Sequence, residues 1–558
     1  MKKILLLIIL SYSFLLSAQV SNEGTPASWA LTNKTSLNAI SLPIIDIEKV
    51  RDEDDINDKL RVKPYRVGVP HHLDVGLDNA GTWTDLSNGD RIWRILFVSK
   101  DAVHLSVNFD KFYLPKGATI YLYNDDKTEL LGAYTEVQNN KKQVLGTGFV
   151  KGDKLWIEYY EPKEFKGIGR LNISTVIHGY RLGNIYQKGY YNEVNKALND
   201  SGDCNYDVNC DIGADFEAQK DLLKKSVALL NLGNGFICTG GLINNTAQDK
   251  KPYFLTANHC FFDNDNNPSD PALYSMRFNW ISPNPVCAEV INSTNGPTNF
   301  NISGSELRAS NEASDFMLLE INNMIPDGWD VNYAGWDRSD NDPTFEIGIH
   351  HPNGDIMKIC RDNTGATKAN TEGTQVWLIG GVNDGIGEGD GWEIGITEVG
   401  SSGSHLFDQN GRIIGQLYGG QAECVGTFDN DDFDLYGRFA VSWDNGSTSA
   451  SRLKEWLDPV GTNPIFLNGS ENISPITEFI EENIVLYPNP SSSGNVKILG
   501  FVQGLKYDIY NTLGQILKSG ILESDQISIE NFSNHVYFVK LTEIESNKSV
   551  IKKIILGK

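Results

Sequence analysis

Beyond its first eighteen residues the 558-residue chain has no long hydrophobic run. A membrane-spanning helix needs about 20 consecutive apolar residues, so none is predicted after that point. Basic residues are in deficit: 48 Lys and Arg stand against 72 Asp and Glu, for a formal net charge of −24. Such a chain is a poor partner for DNA or RNA, whose binding rests on phosphate contacts from Lys and Arg. An anionic membrane surface is disfavoured for the same reason. Cysteine is missing from both ends, all seven lying between residues 204 and 424. Wholesale disorder is excluded, because 40% of residues are hydrophobic and only 22% are charged. At roughly 150 residues per domain, the length predicts about four units.

The chain opens with Met1-Lys2-Lys3, an apolar stretch over residues 4–16, and Ser17-Ala18. A cationic start, a short apolar core and small residues make a secretory signal, cut after Ala18. Export to an oxidising compartment permits disulfides. Residues 19–196 then read as β-rich, with strand patterns over 91–98, 103–109 and 119–123. The first cysteine marks a domain edge near 197, and 197–468 forms the cysteine-bearing domain. A polar linker over 469–484 precedes a terminal unit, 485–558, of short alternating strands. Charge follows these edges: residues 1–196 carry net +2, 197–468 net −24, and 469–558 net −2.

Three motifs appear in order in the acidic middle. Phe254-Leu-Thr-Ala-Asn-His-Cys260 is an apolar run ending in His259. Ala313-Ser-Asp-Phe-Met-Leu-Leu-Glu320 places Asp315 at the mouth of a strand. Gly400-Ser-Ser-Gly-Ser-His405 precedes the strand pattern 412–418. A serine hydroxyl needs a neighbouring imidazole to take its proton. The imidazole needs a carboxylate to fix its tautomer. The oxyanion needs backbone N–H groups, which a glycine-rich turn can aim. On this reading Ser402 is the nucleophile, His259 the base then acid, and Asp315 the orienting carboxylate. The N–H groups of Gly400 and Ser402 form the oxyanion hole. His350 and His351 compete for the role of base, but the surroundings of His259 fit the motif better.

Residues 204–458 resemble the bacterial lysyl endopeptidases of the trypsin-like superfamily. The resemblance rests on those motifs and on Cys204-Asn-Tyr-Asp-Val-Asn-Cys210, Cys238-Thr-Gly-Gly-Leu-Ile-Asn-Asn-Thr246, Ala334-Gly-Trp-Asp-Arg338, Ile349-His-His-Pro-Asn353, Leu435-Tyr-Gly-Arg438 and Ser451-Arg-Leu-Lys-Glu-Trp-Leu-Asp-Pro459. It implies an all-β, chymotrypsin-like double β-barrel with a closing helix over 449–457. It also implies an acid at the base of the specificity pocket, matching Asp434, that selects Lys or Arg because an unpaired buried carboxylate is costly. The family's aromatic wall maps to Trp377. Its histidine partner falls on Tyr418, so strict preference for Lys over Arg stays open. His405 stands where proline usually follows the turn. The implied disulfides are Cys204–Cys424, Cys210–Cys287 and Cys238–Cys260, leaving Cys360 a free, buried thiol. Asp263-Asn-Asp-Asn-Asn267 begins like a calcium loop but lacks its later glycine and glutamate, so no metal and no cofactor is predicted.

Residues 19–196 resemble the propeptides of such enzymes, most clearly at Leu114-Pro-Lys-Gly-Ala-Thr-Ile-Tyr-Leu-Tyr123. Lys196-Ala197 is a bond a Lys-specific enzyme could cut in itself. The tail resembles type IX secretion sorting domains at Val485-Leu-Tyr-Pro-Asn-Pro490, Tyr507-Asp-Ile-Tyr-Asn-Thr-Leu-Gly-Gln-Ile-Leu517 and Lys552-Lys-Ile-Ile-Leu-Gly-Lys558. It implies a small Ig-like β-sandwich. The sequence thus predicts a secreted, monomeric serine endopeptidase cutting after Lys or Arg. Its partners are basic polypeptide substrates, its own propeptide and the type IX machinery. Two alternatives are a non-catalytic binding protein on a protease scaffold and a protease of shifted, Arg-directed preference.

Overall fold

The structure, a computed structural model, describes residues 24–31, 39–60, 63–181, 200–380, 391–470, 485–499, 506–522, 526–542 and 549–557. The expected signal peptide, the Lys196-Ala197 bond and most of the linker lie outside these residues. The chain divides into two compact units, Met1–Glu471 and Asn472–Lys558.

Residues 24–181 of the first unit form two sheets. One runs in the order Ile40–Ser41, Arg91–Val98, Lys154–Glu161, Thr119–Asn124, Leu130–Tyr134. The other runs Val150–Lys151, His104–Tyr113, Arg170–Gly179, Gly68–Gly76. Both bury one face against a shared core that includes Trp93, Phe97, Phe109, Leu122 and Ile157. Burial of such side chains stabilises by roughly 1.5–3 kcal/mol each.

The middle region is built on two further sheets. The first has the order Asn301–Ser303, Ser275–Phe278, Val227–Asn231, Phe236–Leu242, Tyr253–Ala257, Phe316–Ile321, Ser305–Asn311. Its two outermost strands are consecutive in the chain, joined by Gly304 at φ 84°. One bent segment therefore supplies both edges, so the sheet closes on itself and leaves no long exposed edge. The second sheet runs Tyr206–Asp207, Lys358–Asp362, Glu346–His350, His405–Asp408, Arg412–Gly420, Asp434–Arg438, Thr374–Ile379, Thr367–Thr371. Its two end strands stay unjoined by pairing among the described residues. A common core, with Leu255, Phe316 and Leu318 of the first sheet against Ile347, Ile349 and Ile413 of the second, welds the two.

The closing helix expected over 449–457 is interrupted. A 3-10 turn, Ser449–Ser451, and a short helix, Lys454–Leu457, flank an extended Arg452 at φ −155° and ψ 162°. Thr448 and Ser451 cap the start of the first turn reciprocally, the Thr448 N–H donating to Ser451 Oγ. Leu453 and Leu457 remain buried, so the apolar anchors survive the break.

Residues 24–181 touch the middle region through a strand. Tyr65–Arg66 pairs antiparallel with Phe236 and Ile237 of the first sheet. Val67 and Gly68 donate to the Gly235 carbonyl at 2.7 and 3.0 Å. Asn108 Nδ2 donates to the Gly233 carbonyl at 2.6 Å, and Asn231 Nδ2 to the Thr147 carbonyl at 3.1 Å.

The second unit is a small pair of sheets. One contains Val485–Tyr487, Asn495–Leu499 and Gln526–Ser528, and the other Ile516–Ile521, Lys506–Tyr510, Val536–Thr542 and Ser549–Ile555. They share a core of Leu486, Val496, Ile509, Val539, Leu541 and Ile554.

Candidate active site

His259 lies in a 3-10 turn, Asn258–Phe261, directly after the buried strand Tyr253–Ala257. The neighbouring strand, Phe316–Ile321, begins one residue after Asp315, and the pairing Ala257↔Phe316 sets the two side by side. Asp315 has φ 53°, a left-handed conformation that Asp tolerates better than most residues. This bend turns the carboxylate back onto the histidine. Asp315 Oδ2 lies 2.7 Å from His259 Nδ1, and Oδ1 accepts the His259 backbone N–H at 2.8 Å. Asn258 N–H donates to the Asp315 carbonyl at 2.9 Å. The carboxylate therefore fixes both the ring and the backbone, leaving Nε2 for a second partner. That atom is buried and has no hydrogen bond among the described residues.

Ser402 sits in the turn before His405–Asp408. Its carbonyl accepts Thr239 N–H at 2.9 Å and lies 3.8 Å from Sγ of Cys260, the residue after His259. The Cys238–Cys260 disulfide, with Cα atoms 6.4 Å apart, ties that histidine turn to the adjacent strand. Gly403, at φ 81°, has no room for a side chain: a Cβ would fall 2.1 Å from Thr256 Oγ1 and 2.6 Å from Ala257 N. Only glycine lets the Ser402 turn come this close to the histidine strand. Among the described residues, the N–H groups of Gly400 and Ser402 donate to no protein acceptor. The Ser402 hydroxyl makes no hydrogen bond to His259 there either; catalytic bonds commonly tighten only with substrate present.

His405, in place of proline, is buried, and its Nε2 lies 3.2 Å from the Leu255 carbonyl. It thereby links the strand after Ser402 to the strand before His259. Burial lowers its pKa to about 4, so it is neutral. His350 and His351 are also buried, their pKa values lowered by burial to about 3 and about 4. His350 Nδ1 pairs with Ser401 Oγ at 2.8 Å, and His351 Nδ1 with the Asp355 carbonyl at 2.8 Å. Both brace loops rather than face the cleft.

Asp434 is 1% exposed, at the start of strand Asp434–Arg438. Its Oδ2 accepts Trp392 Nε1–H at 2.7 Å and Thr397 Oγ–H at 2.8 Å. Trp392 and Thr397 were not legible as site residues, since neither lies in a motif and both meet Asp434 only across loops. Tyr418 stacks edge-on to His259, ring centres 6.2 Å apart. Trp377 is buried in one core with Trp392, Leu417 and Tyr436. Its Nε1 donates to the Ile414 carbonyl at 3.0 Å, and it lines a separate hollow with Asp337, Asp340 and Asp408.

The hollow beside His259, about 380 Å³, is lined by Asp315, Phe262, Glu312, Thr374, Tyr418 and also Lys63 of the N-terminal region. Lys63 Nζ donates to Asn266 Oδ1. His259 also lies near the sulfurs of Cys238 and Cys260, but these are bonded to each other and offer no thiolate for a metal. The Asp263 carboxylate accepts N–H groups of Asp265 and Asn267 and caps its own turn. The other two disulfides are Cys204–Cys424 and Cys210–Cys287, and Cys360 is a buried free thiol.

Residues 198–437 match the family described as the lysyl endopeptidase C-terminal domain. The middle of this chain is lysyl endopeptidase-like. Residues 485–557 match a secretion system C-terminal sorting domain. A curated relative, the lysyl endopeptidase of Pseudomonas aeruginosa, is 26% identical over 286 residues. The match covers 49% of this chain and 56% of that relative, so the chain spans about half its length. A solved structure of PorZ, a surface component of the type-IX secretion system of Porphyromonas gingivalis, overlaps 58% of this chain and 41% of its own at 10% identity. Its TM-score is 0.15. The sorting domain indicates export by type IX secretion to the cell surface or beyond it, and no described helix is long and apolar enough to cross a membrane.

Proposed function

We propose that this protein is a serine endopeptidase that cleaves on the C-terminal side of lysine, and of arginine. The observation that carries the reading is the 2.7 Å pair between His259 and Asp315 beside the Gly400–Gly403 turn. Ser402 Oγ attacks the scissile carbonyl while His259 Nε2 takes its proton. The Gly400 and Ser402 N–H groups hold the oxyanion, and His259 returns the proton to the leaving amine. Water then hydrolyses the acyl-enzyme by the same route. Asp434, held by Trp392 and Thr397, receives the basic side chain. The net charge of −24 gathers in this same domain and draws cationic chains toward it.

Residues 19–196 act as a propeptide. Strand Tyr65–Arg66 pairs with the start of Phe236–Leu242, an inner strand of the first sheet, and Lys63 lies in the hollow of His259. Pro64 follows that lysine, a poor residue for the leaving side of a cut. Self-cleavage at Lys196-Ala197 would leave the mature enzyme, so Ser402→Ala should yield no N-terminus at Ala197.

The test is labelling of the processed protein with a fluorophosphonate, with matched Lys, Arg and Glu esters. A covalent adduct on Ser402 with turnover of the basic esters is expected. Absence of an adduct would leave a binding protein on a protease scaffold.

A further inference from the structure

The segment that enters the middle domain is bonded to the nucleophile turn from outside. Ser201, Cys204 and Asn205 are buried although they lie in no long strand. Glu398 stands four residues before Ser402. Its Oε2 accepts the Gly202 N–H at 3.0 Å and Asn205 Nδ2–H at 3.0 Å. The backbone of Glu398 closes the turn itself: its carbonyl accepts Ser401 N–H at 3.0 Å. Its N–H donates to Ser401 Oγ at 3.3 Å.

A second bridge runs in parallel. Asp355 is fully buried, and its Oδ2 accepts the Ser201 hydroxyl at 2.5 Å. The loop before it meets the turn, because Asn353 N–H donates to the Val399 carbonyl at 2.6 Å. Asn353 Nδ2 also donates to the Asp200 carbonyl at 2.9 Å. Gly400, at φ 90°, is pressed against this loop: a Cβ there would fall 3.0 Å from Gly354 N and 3.3 Å from Asn353 N. The Cys204–Cys424 disulfide anchors the segment's far end.

We propose that residues 201–205 brace the oxyanion turn, and that Glu398 is a positioning residue for the reaction at Ser402. The inference rests on the serine endopeptidase reading above. Glu398 touches no reacting atom. It ties the Gly400–Ser402 turn to a disulfide-anchored segment, so that both N–H groups converge on one point. Donors must lie within about 2.7–3.1 Å of the developing oxyanion, and losing one donor outright costs about 10²–10³-fold in kcat. Tilting the turn costs less than losing a donor.

The experiment uses the full chain after processing. Glu398→Ala should lower kcat on a lysine ester about 10- to 100-fold while KM stays within about twofold. A lysine-terminated peptide aldehyde, whose adduct places an oxyanion at the turn, should bind more weakly by a similar factor. Butylamine, which mimics only the lysine side chain, should bind unchanged. Glu398→Gln retains an acceptor and should recover most of the activity, and Asn205→Ala should shift kcat in the same direction by less. Unchanged kcat and aldehyde affinity in Glu398→Ala would overturn the proposal. So would parallel loss of aldehyde and butylamine binding, which marks general distortion. If Glu398→Ala does not fold, Asn205→Ala, which removes the donor to Glu398 Oε2, carries the same two readings. Failure of the underlying function is separately visible, as a wild-type protein that a fluorophosphonate does not label.

Discussion

The two sheets of the middle region hold their chemistry by different means. The first sheet holds His259 just after one strand and Asp315 just before its neighbour, and the two side chains satisfy each other directly. The second carries Ser402 and Asp434, and each depends on groups arriving from elsewhere. Asp434 is held by Trp392 and Thr397 from a preceding loop. The Ser402 turn is held by His350 through Ser401 and by the entering segment through Glu398. A pair fixed by strand register is robust because neighbouring strands cannot slip without exposing their buried face. A site assembled from loops needs staples, and the second sheet has them in Cys204–Cys424 and in several buried histidines.

Replacing Ser402 by Ala should break the contrast most severely. Turnover of a lysine ester should fall by about 10⁴-fold or more, with the His259–Asp315 side of the site intact. Steady-state kinetics on processed protein measure it. Asp434→Asn should lower kcat/KM for lysine and arginine esters by about 10²–10³-fold and spare a neutral ester. Equal loss on all three would mean that Asp434 supports the loop and does not select the substrate. The Cys204→Ser, Cys424→Ser pair opens a loop spanning 220 residues. It should cost about 2–5 kcal/mol in stability, read as a lower denaturant midpoint.

Acid should weaken the second sheet next. Burial holds the pKa of His351 and His405 at about 4, below the 6.5 of an exposed histidine. The unfolded chain therefore takes up protons first as pH falls. The contribution of these histidines is full above pH 6.5 and drains between there and about pH 4, on the order of 3 kcal/mol for each. Thermal melts across that window should show the loss, and a flat profile would contradict it. The smallest effect concerns Glu346 and Asp362, buried cross-strand neighbours in the same sheet. Burial and then the Asp362 charge hold the Glu346 carboxyl well above the usual range. The folded state thus favours its protonated form, and stability falls as pH rises. Glu346→Gln should raise stability at pH 8 by about 1 kcal/mol, a gain that shrinks on acidification.

The candidate site could be read from the sequence where its signals are local. The apolar run before His259, the apolar strand after Asp315 and the glycine-flanked Ser402 each report their own backbone environment. A closing helix over 449–457 was expected as well, but the segment is not one continuous helix. Trp392 and Thr397 left no such mark, standing 42 and 37 residues from Asp434. Lys63 lies 203 residues from its partner Asn266. No periodicity or turn signal spans such distances.

By itself, then, the sequence determined the kinds of chemistry available. It set an acidic middle bearing all seven cysteines, strand patterns and short turns around candidate reactive groups. Tertiary structure alone decided which groups meet. It set His259 on Asp315, closed the first sheet through Gly304, buried Asp434 beneath Trp392 and tied Glu398 to the entering chain. The physical reason is the reach of each force. Propensity and burial pattern act over a few residues, whereas a hydrogen-bond partner is chosen by strand register and loop packing across the whole domain.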